Sequence, residues 1–214
     1  MFNPLQIDWT QKLLWLLVLI PSLTIHEIAH GLAAYCLGDR TAKRDGRLSL
    51  NPLRHIDPLG LLFMIIYQFG WAKPVMVNPN SFKNPKEDMA ITSLAGPLSN
   101  LVLAFLSLMV YVPISLWFGT GFGAVVGMLM RQMFIINLSL AIFNLLPLPP
   151  LDGSKVFGML LPVGFYWQFI SFPYGMPILL VLTLTGVTSM VLTPLLSTVG
   201  KGMSAFVYWI YQLL

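Results

Sequence analysis

Four long runs of apolar residues dominate the pattern along the chain, at about residues 9–37, 89–118, 124–148 and 173–192. Each run reaches the ~20 residues that a helix needs to cross a hydrocarbon core about 30 Å thick. The final stretch, 199–214, is apolar enough for one further short or interfacial helix. The pattern therefore predicts an all-α polytopic membrane protein.

Shorter segments separate the first two runs. Residues 59–72 are apolar but too few to span, which predicts a re-entrant or interfacial segment. On either side, residues 46–50 and 73–77 alternate polar and apolar positions before Asn-Pro pairs, which is typical of short strands. We therefore expect a small membrane-associated β element between the first and second spans.

Three prolines, Pro147, Pro149 and Pro150, follow the third run. Proline lacks the N–H that a helix interior requires, so the helix must end there. Irregular backbone at membrane depth is tolerated only where it is buried in protein or lines a cavity. The stretch that follows, which contains Asp152, is thus expected to lie inside the protein.

Composition agrees with this architecture. Hydrophobic residues make up 57% of the 214 positions and charged residues only 9%, against roughly 25% charged in soluble domains. We expect one membrane-embedded domain over residues 1–214, with the first run retained as a span because it lacks the features of a signal peptide. The single Cys36 excludes an internal disulfide and a cysteine-based zinc site.

The positive charge is concentrated between the first two long spans. Residues 38–87 carry eight of the twelve basic residues: Arg40, Lys43, Arg44, Arg47, Arg54, Lys73, Lys83 and Lys86. Short loops rich in Lys and Arg remain cytoplasmic, so the net charge of +4 reports topology and not a nucleic-acid partner. The third span then returns to the cytoplasmic side, and it brings Asp152 with it.

The first span contains the sequence His26-Glu27-Ile28-Ala29-His30. Histidines at i and i+4 share one helix face, and a glutamate beside the first can act on what they bind. Ionisable residues are costly at membrane depth, which argues against two histidines that serve only in helix packing. The spacing indicates a zinc site in which His26 and His30 are ligands and Glu27 is the general base.

A catalytic zinc takes three protein ligands and leaves one position for water. The candidates for the third ligand are His55, Asp57 and Asp152. His26 lies about 11 residues before the end of its span, roughly 16 Å at 1.5 Å per residue, which is the half of the bilayer expected for Asp152. We therefore select Asp152, although an Asp-Gly turn paired with Lys155 is an alternative.

Asn144, close to the proline break, is a candidate donor to the oxyanion that forms during amide hydrolysis. A hydrogen bond between helices is an equally good explanation of this asparagine. The whole cluster also suits a metal-ion or proton transporter, since intramembrane ionisable residues often mark ion pathways. Transporters commonly contain paired half-repeats, and the sequence has none that we detect.

Five motifs occur together along the chain: residues 26–30, residues 46–52 continuing into 55–60, residues 70–75, residues 95–97 with Asn100, and residues 144–147 continuing into 151–153. With these motifs the chain resembles the site-2 protease family of intramembrane zinc metalloproteases over most of its length. No PDZ insertion or CBS module interrupts the sequence, so it resembles a minimal member.

The resemblance implies one Zn²⁺ per chain, held by His26, His30 and Asp152, with Glu27 as the catalytic base. It also implies a three-span catalytic core with one or two further C-terminal spans or interfacial helices. Asn144 is implied as support for the substrate or oxyanion. We add Asn100 and His55 as further candidates for this support, with a structural role as the alternative for His55.

The implied substrates are transmembrane segments of other proteins in the lipid bilayer. We expect a multi-pass protein of a prokaryotic plasma membrane with its site towards the cytoplasm. A helical substrate must unwind before its amides can be reached, so the two predicted strands would offer an edge for it to pair with, while residues 59–72 shield the site.

Overall fold

The computed structural model describes residues 9–67, 70–118 and 120–213, and this part of the chain is nearly all helical. It contains nine α-helices: α1 (Trp9–Cys36), α2 (Thr41–Arg44), α3 (Pro58–Tyr67), α4 (Pro85–Trp117), α5 (Gly121–Asn144), α6 (Asp152–Gly158), α7 (Val163–Ile170), α8 (Gly175–Leu184) and α9 (Val187–Leu213).

Helices α1, α4, α5 and α9 are long and apolar enough to cross a membrane. A fifth span results if α7 and α8, which are bent by 58°, are counted as one. Helix α4 lies at the centre, where it packs against α5 and α1, while α9 covers α4 and α5 from the other side. The predicted all-α multi-pass membrane protein is therefore confirmed.

The C-terminal boundaries differ from the sequence prediction. The predicted span 173–192 is wrong, because α8 ends at Leu184 and the chain turns at Gly186, whose φ is +80°. Helix α9 then continues for 27 residues and includes most of the predicted short helix 199–214, whose last residue lies outside the described part. Hydropathy does not reveal this break, since the turn contains no charge; the left-handed glycine makes it.

The predicted β element is not confirmed, since the described residues form no β-strand. Gly46 has a φ of +65° and turns the chain, and its carbonyl accepts a hydrogen bond from the Arg54 side chain. Residues 73–77 are not helical. Their backbone groups bond to the side chains of Glu27 and Arg47 and to the His55 carbonyl, and not to the backbone of residues 46–50. Among the described residues, a single antiparallel bridge joins Ile56 to Ala72, with the Lys73 N–H donating to the His55 carbonyl at 2.8 Å.

Helix α3 occupies most of the predicted re-entrant or interfacial segment, of which residues 68–69 lie outside the described part. The last turn of α3 contacts the N-terminal part of α1, where the buried Lys12 ammonium donates a hydrogen bond to the Ile65 carbonyl. A Cβ on Gly60 would lie 2.1 Å from the Trp71 carbonyl oxygen, so the returning chain packs directly on α3. Helix α3 and Trp71 therefore lie in contact beside α1, and the re-entrant or interfacial placement stays a prediction.

Helices α1 and α4 approach closely at Gly96. A Cβ at this position would lie 2.4 Å from His30 Nε2 and 2.6 Å from His26 Cε1. Only a residue without a side chain allows α4 to pass both imidazole rings at this distance. The glycine thus brings the two helices together where α1 carries its histidines.

We predict that Gly96→Ala destabilises the protein by about 1–3 kcal/mol, the usual cost of overpacking. Helix propensity alone would favour alanine by about 1 kcal/mol, so the expected sign is set by the contact with the histidine rings. The measurement is thermal unfolding of the purified protein in detergent.

The matched control is Gly202→Ala in α9, where an added Cβ meets nothing within 4 Å. The control is expected to unfold at or above the wild-type temperature. Equal unfolding temperatures for the two variants would contradict the close approach at Gly96.

Candidate metal centre

Helix α1 presents His26, Glu27 and His30 to the interior, and all three residues are buried. The i and i+4 spacing places the two imidazoles edge to face, with ring centroids 4.6 Å apart. His26 Nε2 and His30 Nε2 are separated by 3.0 Å. The two rings therefore offer a pair of nitrogens to a single point.

Asp152 completes the cluster from the first turn of α6. Its Oδ2 lies 3.3 Å from His26 Nε2 and 3.2 Å from His30 Nε2. Its other oxygen, Oδ1, lies 3.7 Å from Lys155 Nζ. The carboxylate thus directs one oxygen at the histidines and the other at a cation.

The break after α5 allows Asp152 to reach the two histidines. Helix α5 ends at Asn144, four residues earlier than the predicted end at 148, and the proline-rich stretch follows. A Cβ on Gly153 would lie 2.3 Å from the Leu145 carbonyl oxygen, so only glycine lets the chain fold back this tightly. The Asp-Gly pair therefore provides both the carboxylate and the packing that positions it.

The hydrogen bonds of the two rings leave their Nε2 atoms free of protons when the rings are neutral. His26 Nδ1 lies 2.6 Å from the Asn100 amide oxygen, and His30 Nδ1 lies 2.8 Å from the Thr92 carbonyl. Both partners are acceptors, so each Nδ1 carries the hydrogen and each Nε2 presents a lone pair. Two lone pairs and a carboxylate that face one another require a cation between them.

A metal ion fits this arrangement. The three donor atoms lie within 4.8 Å of one another, a separation that one ion can bridge. Ligand atoms at a tetrahedral zinc with bonds of 2.0–2.1 Å are about 3.3 Å apart, which is close to the separations in the cluster. Two imidazoles and one carboxylate are also the donor set of several catalytic zinc sites.

The cluster opens on a cavity of about 740 Å³. Its wall is mostly apolar and is formed by residues of α1, α3, α4, α5, α6, α8 and α9, together with residues within 70–77 and 150–151. Asn144 lines it, with one amide hydrogen bound to the Leu140 carbonyl at 2.9 Å and the second without an acceptor among the described residues. An extended chain that enters this cavity meets few polar side chains outside the cluster.

Glu27 has a backbone partner in the segment 72–78, which we call the strap. The Val75 N–H donates to Glu27 Oε2 at 2.9 Å, while Glu27 Oε1 accepts no hydrogen bond from the described residues. The strap is also held by the Arg47 side chain, which donates to the Pro74 carbonyl at 3.4 Å. This hydrogen bond orients the Glu27 carboxylate through Oε2 and leaves Oε1 able to accept a proton.

Asp39 holds the C-terminal end of the strap by a hydrogen bond. Its Oδ2 accepts a hydrogen bond from the Asn78 N–H at 2.7 Å, and its Oδ1 accepts from both the backbone and the hydroxyl of Thr41. Burial by itself would raise the pKa of the Asp39 carboxyl, but the hydrogen bonds from Thr41 and Asn78 outweigh it and hold the pKa below its ordinary value. The carboxylate is therefore ionised and holds the strap at neutral pH.

Two of the candidate residues do not line the cavity. Asn100 is 0% exposed and lies behind His26, with its amide oxygen 2.6 Å from His26 Nδ1. His55 is buried, and its Nε2 bonds the Ser49 carbonyl at 2.8 Å. Of the two roles considered for His55, this position favours the structural one.

The sequence did not identify the residues that support the histidines from behind. Asn137 and Ser22 continue the hydrogen bonds beyond Asn100. Both are polar residues within predicted spans, and that placement is the signal that they need partners. The Thr92 carbonyl has no signal in the sequence, since any residue carries one.

Comparisons with known proteins agree with the geometry. The model of peptidase family M50 matches residues 112–166. A protein of Bacillus subtilis named "Putative zinc metalloprotease YwhC" is 42% identical over 186 residues, which cover 85% of this chain and 84% of the relative. No solved structure matches the chain.

Two further relatives match shorter parts of the chain. "Putative zinc metalloprotease Rip2" of Mycolicibacterium smegmatis is 35% identical over 140 residues, or 62% of this chain and 51% of the relative. "Putative zinc metalloprotease MJ0611" of Methanocaldococcus jannaschii is 35% identical over 120 residues, or 54% of this chain and 56% of the relative. Since the match to YwhC extends over most of both chains, this chain belongs to peptidase family M50, the site-2 protease family.

Proposed function

We propose that this protein is an intramembrane zinc metalloendopeptidase that hydrolyses peptide bonds in or near the transmembrane segments of other membrane proteins. One observation carries the proposal. His26 Nε2, His30 Nε2 and Asp152 Oδ2 converge within 3.0–3.3 Å, beside a buried glutamate and on a cavity of about 740 Å³. Family membership and the zinc metalloprotease names of the relatives support the same activity.

His26, His30 and Asp152 would hold one zinc ion. When bound, zinc supplies Lewis acidity and lowers the pKa of a coordinated water to about 7. The proton-bound Nδ1 atoms of the two histidines keep their Nε2 atoms directed at the ion. Lys155 holds the Asp152 oxygen that faces away from the histidines, so the carboxylate is oriented to offer a single oxygen.

Glu27 acts as the general base through Oε1. That oxygen takes a proton from the attacking water and then delivers it to the nitrogen that leaves as the scissile bond breaks. Oε2 remains bound to the Val75 N–H, so the carboxylate does not rotate away between the two transfers. The free amide hydrogen of Asn144 is the donor for the negative charge that builds up on the carbonyl oxygen.

The location of the cluster supports a membrane substrate. His26, Glu27 and His30 lie in a helix long and apolar enough to span a bilayer, and the cavity wall comes largely from such helices. A peptide reaching this cavity would come from the membrane itself. The concentration of basic residues at 38–87 supports an orientation in which the cluster faces the cytoplasmic half of the bilayer.

The strap provides a backbone edge for the unwound substrate. Within the described residues, the Met76 backbone makes no hydrogen bond, and its side chain is 61% exposed and lines the cavity. An extended peptide needs partners for its own N–H and C=O groups at membrane depth. Strand addition to the strap at Met76 would supply them.

We predict that Glu27→Gln lowers the rate of cleavage by about 10²–10⁴-fold, the usual contribution of a general base. Glutamine keeps the size and the acceptor oxygen for Val75 but cannot take up a proton. The measurement is cleavage of a membrane protein substrate reconstituted with the purified enzyme in lipid vesicles, with bound zinc quantified in parallel.

Retained zinc with lost cleavage is the expected outcome. Cleavage by Glu27→Gln at the wild-type rate would refute this mechanism. Zinc flux across the vesicles without cleavage by the wild-type protein would instead support a transporter.

We also predict that Val75→Pro lowers cleavage about 10-fold or more, because hydrogen bonds to charged groups contribute about 1.5–3 kcal/mol. Proline removes the N–H that orients Glu27 and suits an extended segment. The control, Val75→Ala, keeps the N–H and is expected to cleave normally. Equal rates for the proline and alanine variants would show that the Val75 amide does not orient the base.

Met76→Pro tests the pairing of substrate with the strap separately, since it leaves the Val75 N–H in place. We predict a higher KM with a nearly unchanged kcat, because the removed N–H would bind the peptide in the ground state and the transition state alike. Met76→Ala removes the side chain and keeps the N–H, so it is the matched control. A KM unchanged in Met76→Pro relative to Met76→Ala would exclude pairing at this position.

A further inference from the structure

Three polar side chains, one from each helix of the core, lie fully buried beside His26. They are Ser22 in α1, Asn100 in α4 and Asn137 in α5, and each is 0% exposed. None of them lines the cavity. Burying such groups is costly unless each is hydrogen-bonded, so their arrangement calls for a specific explanation.

The three side chains form a hydrogen-bond relay that ends at His26. The Asn100 oxygen accepts from His26 Nδ1 at 2.6 Å, and Asn100 Nδ2 donates to the Asn137 oxygen at 2.8 Å and, over a longer 3.4 Å, to the Ser22 backbone carbonyl. Asn137 Nδ2 then donates to Ser22 Oγ at 2.9 Å and to the Met133 carbonyl at 2.9 Å. Ser22 Oγ donates in turn to the Val18 carbonyl at 2.8 Å.

Every bond in the relay runs in one direction, and three backbone carbonyls, those of Val18, Met133 and Ser22, determine that direction. The carbonyls of Met133 and Val18 can only accept, so Asn137 must turn its NH₂ group towards α1 and its own backbone. The Asn137 oxygen then faces Asn100, so Asn100 must donate to it from its NH₂ group. The Asn100 oxygen is the atom that remains for His26.

This constraint matters for His26 and not for His30. The partner of His30 Nδ1 is the Thr92 backbone carbonyl, which cannot become a donor. The partner of His26 is a side-chain amide, and a 180° flip would present NH₂ to Nδ1 instead of oxygen. His26 would then carry its proton on Nε2, and that nitrogen could no longer bind a metal ion.

We infer that Asn137 and Ser22 are positioning residues that lock the Asn100 amide and so keep Nε2 of His26 available to the metal ion. This inference rests on the proposed zinc site and extends it to two residues that contact neither the ion nor the substrate. Partners in this outer position typically change metal affinity 10–100-fold.

The test measures the zinc dissociation constant of the purified full-length protein in detergent by competition with a chelator. We expect Asn137→Leu to raise this constant about 10–100-fold, and Ser22→Ala to raise it less, because Asn137 keeps the Met133 carbonyl as a partner. Leu108→Ala is the control for general destabilisation, since Leu108 is buried in a separate apolar cluster with Val112 and Val207. The control is expected to bind zinc as the wild type does.

A double variant separates locking from simple packing. In Asn100→Asp the carboxylate has no donor group to present, so His26 keeps its proton on Nδ1 without help from the relay. Adding Asn137→Leu to this variant is therefore expected to leave the zinc dissociation constant unchanged. If Asn137→Leu weakens zinc binding equally in both backgrounds, or in neither, the inference is wrong.

A spectroscopic readout follows the tautomer directly. The chain has only three histidines, so their ring nitrogens can be resolved by ¹⁵N NMR of the zinc-free protein. We expect the His26 signals to show a proton on Nδ1 in the wild type and a mixture of tautomers in Asn137→Leu. An unchanged His26 tautomer in that variant would overturn the inference.

Failure of the inference and failure of the proposed function give different results. If the wild type binds zinc and His30→Ala abolishes binding, the zinc site stands whatever the relay variants do. If the wild type does not bind zinc at the His26, His30 and Asp152 cluster, the proposed function fails, and the inference fails with it.

Discussion

Two imidazole lone pairs and a carboxylate oxygen face one another at 3.0–3.3 Å in the middle of an apolar helix bundle, and the rest of the structure depends on this contact. Without a cation the three groups repel, and without fixed partners the imidazoles would rotate or change tautomer. The surrounding helices meet the second requirement through acceptors on both Nδ1 atoms. The cluster is therefore arranged for an ion before any ion binds.

Bringing three helices this close to the rings demands local departures from regular packing. Gly96 removes the side chain that would meet both histidines, and Gly153 lets the chain after α5 return to within contact of its own end. The prolines stop α5 at a depth where the next helix can start with Asp152. Each departure weakens a helix or exposes backbone, and each is located where it positions a polar group of the cluster.

The strap adds a second layer of control on the side of the general base. It is held by side chains of the first span and the basic loop, chiefly Glu27, Asp39 and Arg47, and not by a neighbouring strand. Among the described residues, the Met76 backbone makes no hydrogen bond and lies next to the cavity. In the proposed mechanism the same segment orients the base and pairs with an extended peptide, which would link binding of substrate to readiness for catalysis.

Residue patterns along the chain were enough to predict the helical membrane architecture and the members of the cluster. Long apolar runs predict spans because a bilayer tolerates no unpaired backbone, and the i and i+4 histidines with a glutamate between them indicate a ligand pair and a base because helix geometry is local. The proline break and the basic loop together selected Asp152, which the structure brings to the histidines.

How the remaining polar residues are used depends on tertiary contacts. Asn100 has the same local sequence whether it faces a substrate or a histidine, and only the fold brings its amide group to His26, Asn137 and the Ser22 carbonyl. The predicted strands are not formed for a similar reason. Strand pairing depends on what lies beside a segment, and the strap lies beside the side chains of Glu27 and Arg47. Likewise, the turn at Gly186 that divides α8 from α9 reflects a backbone conformation, which hydropathy does not record. The periodicity of a helix can be read from consecutive residues, whereas the hydrogen-bond partners of a buried side chain come from distant parts of the chain.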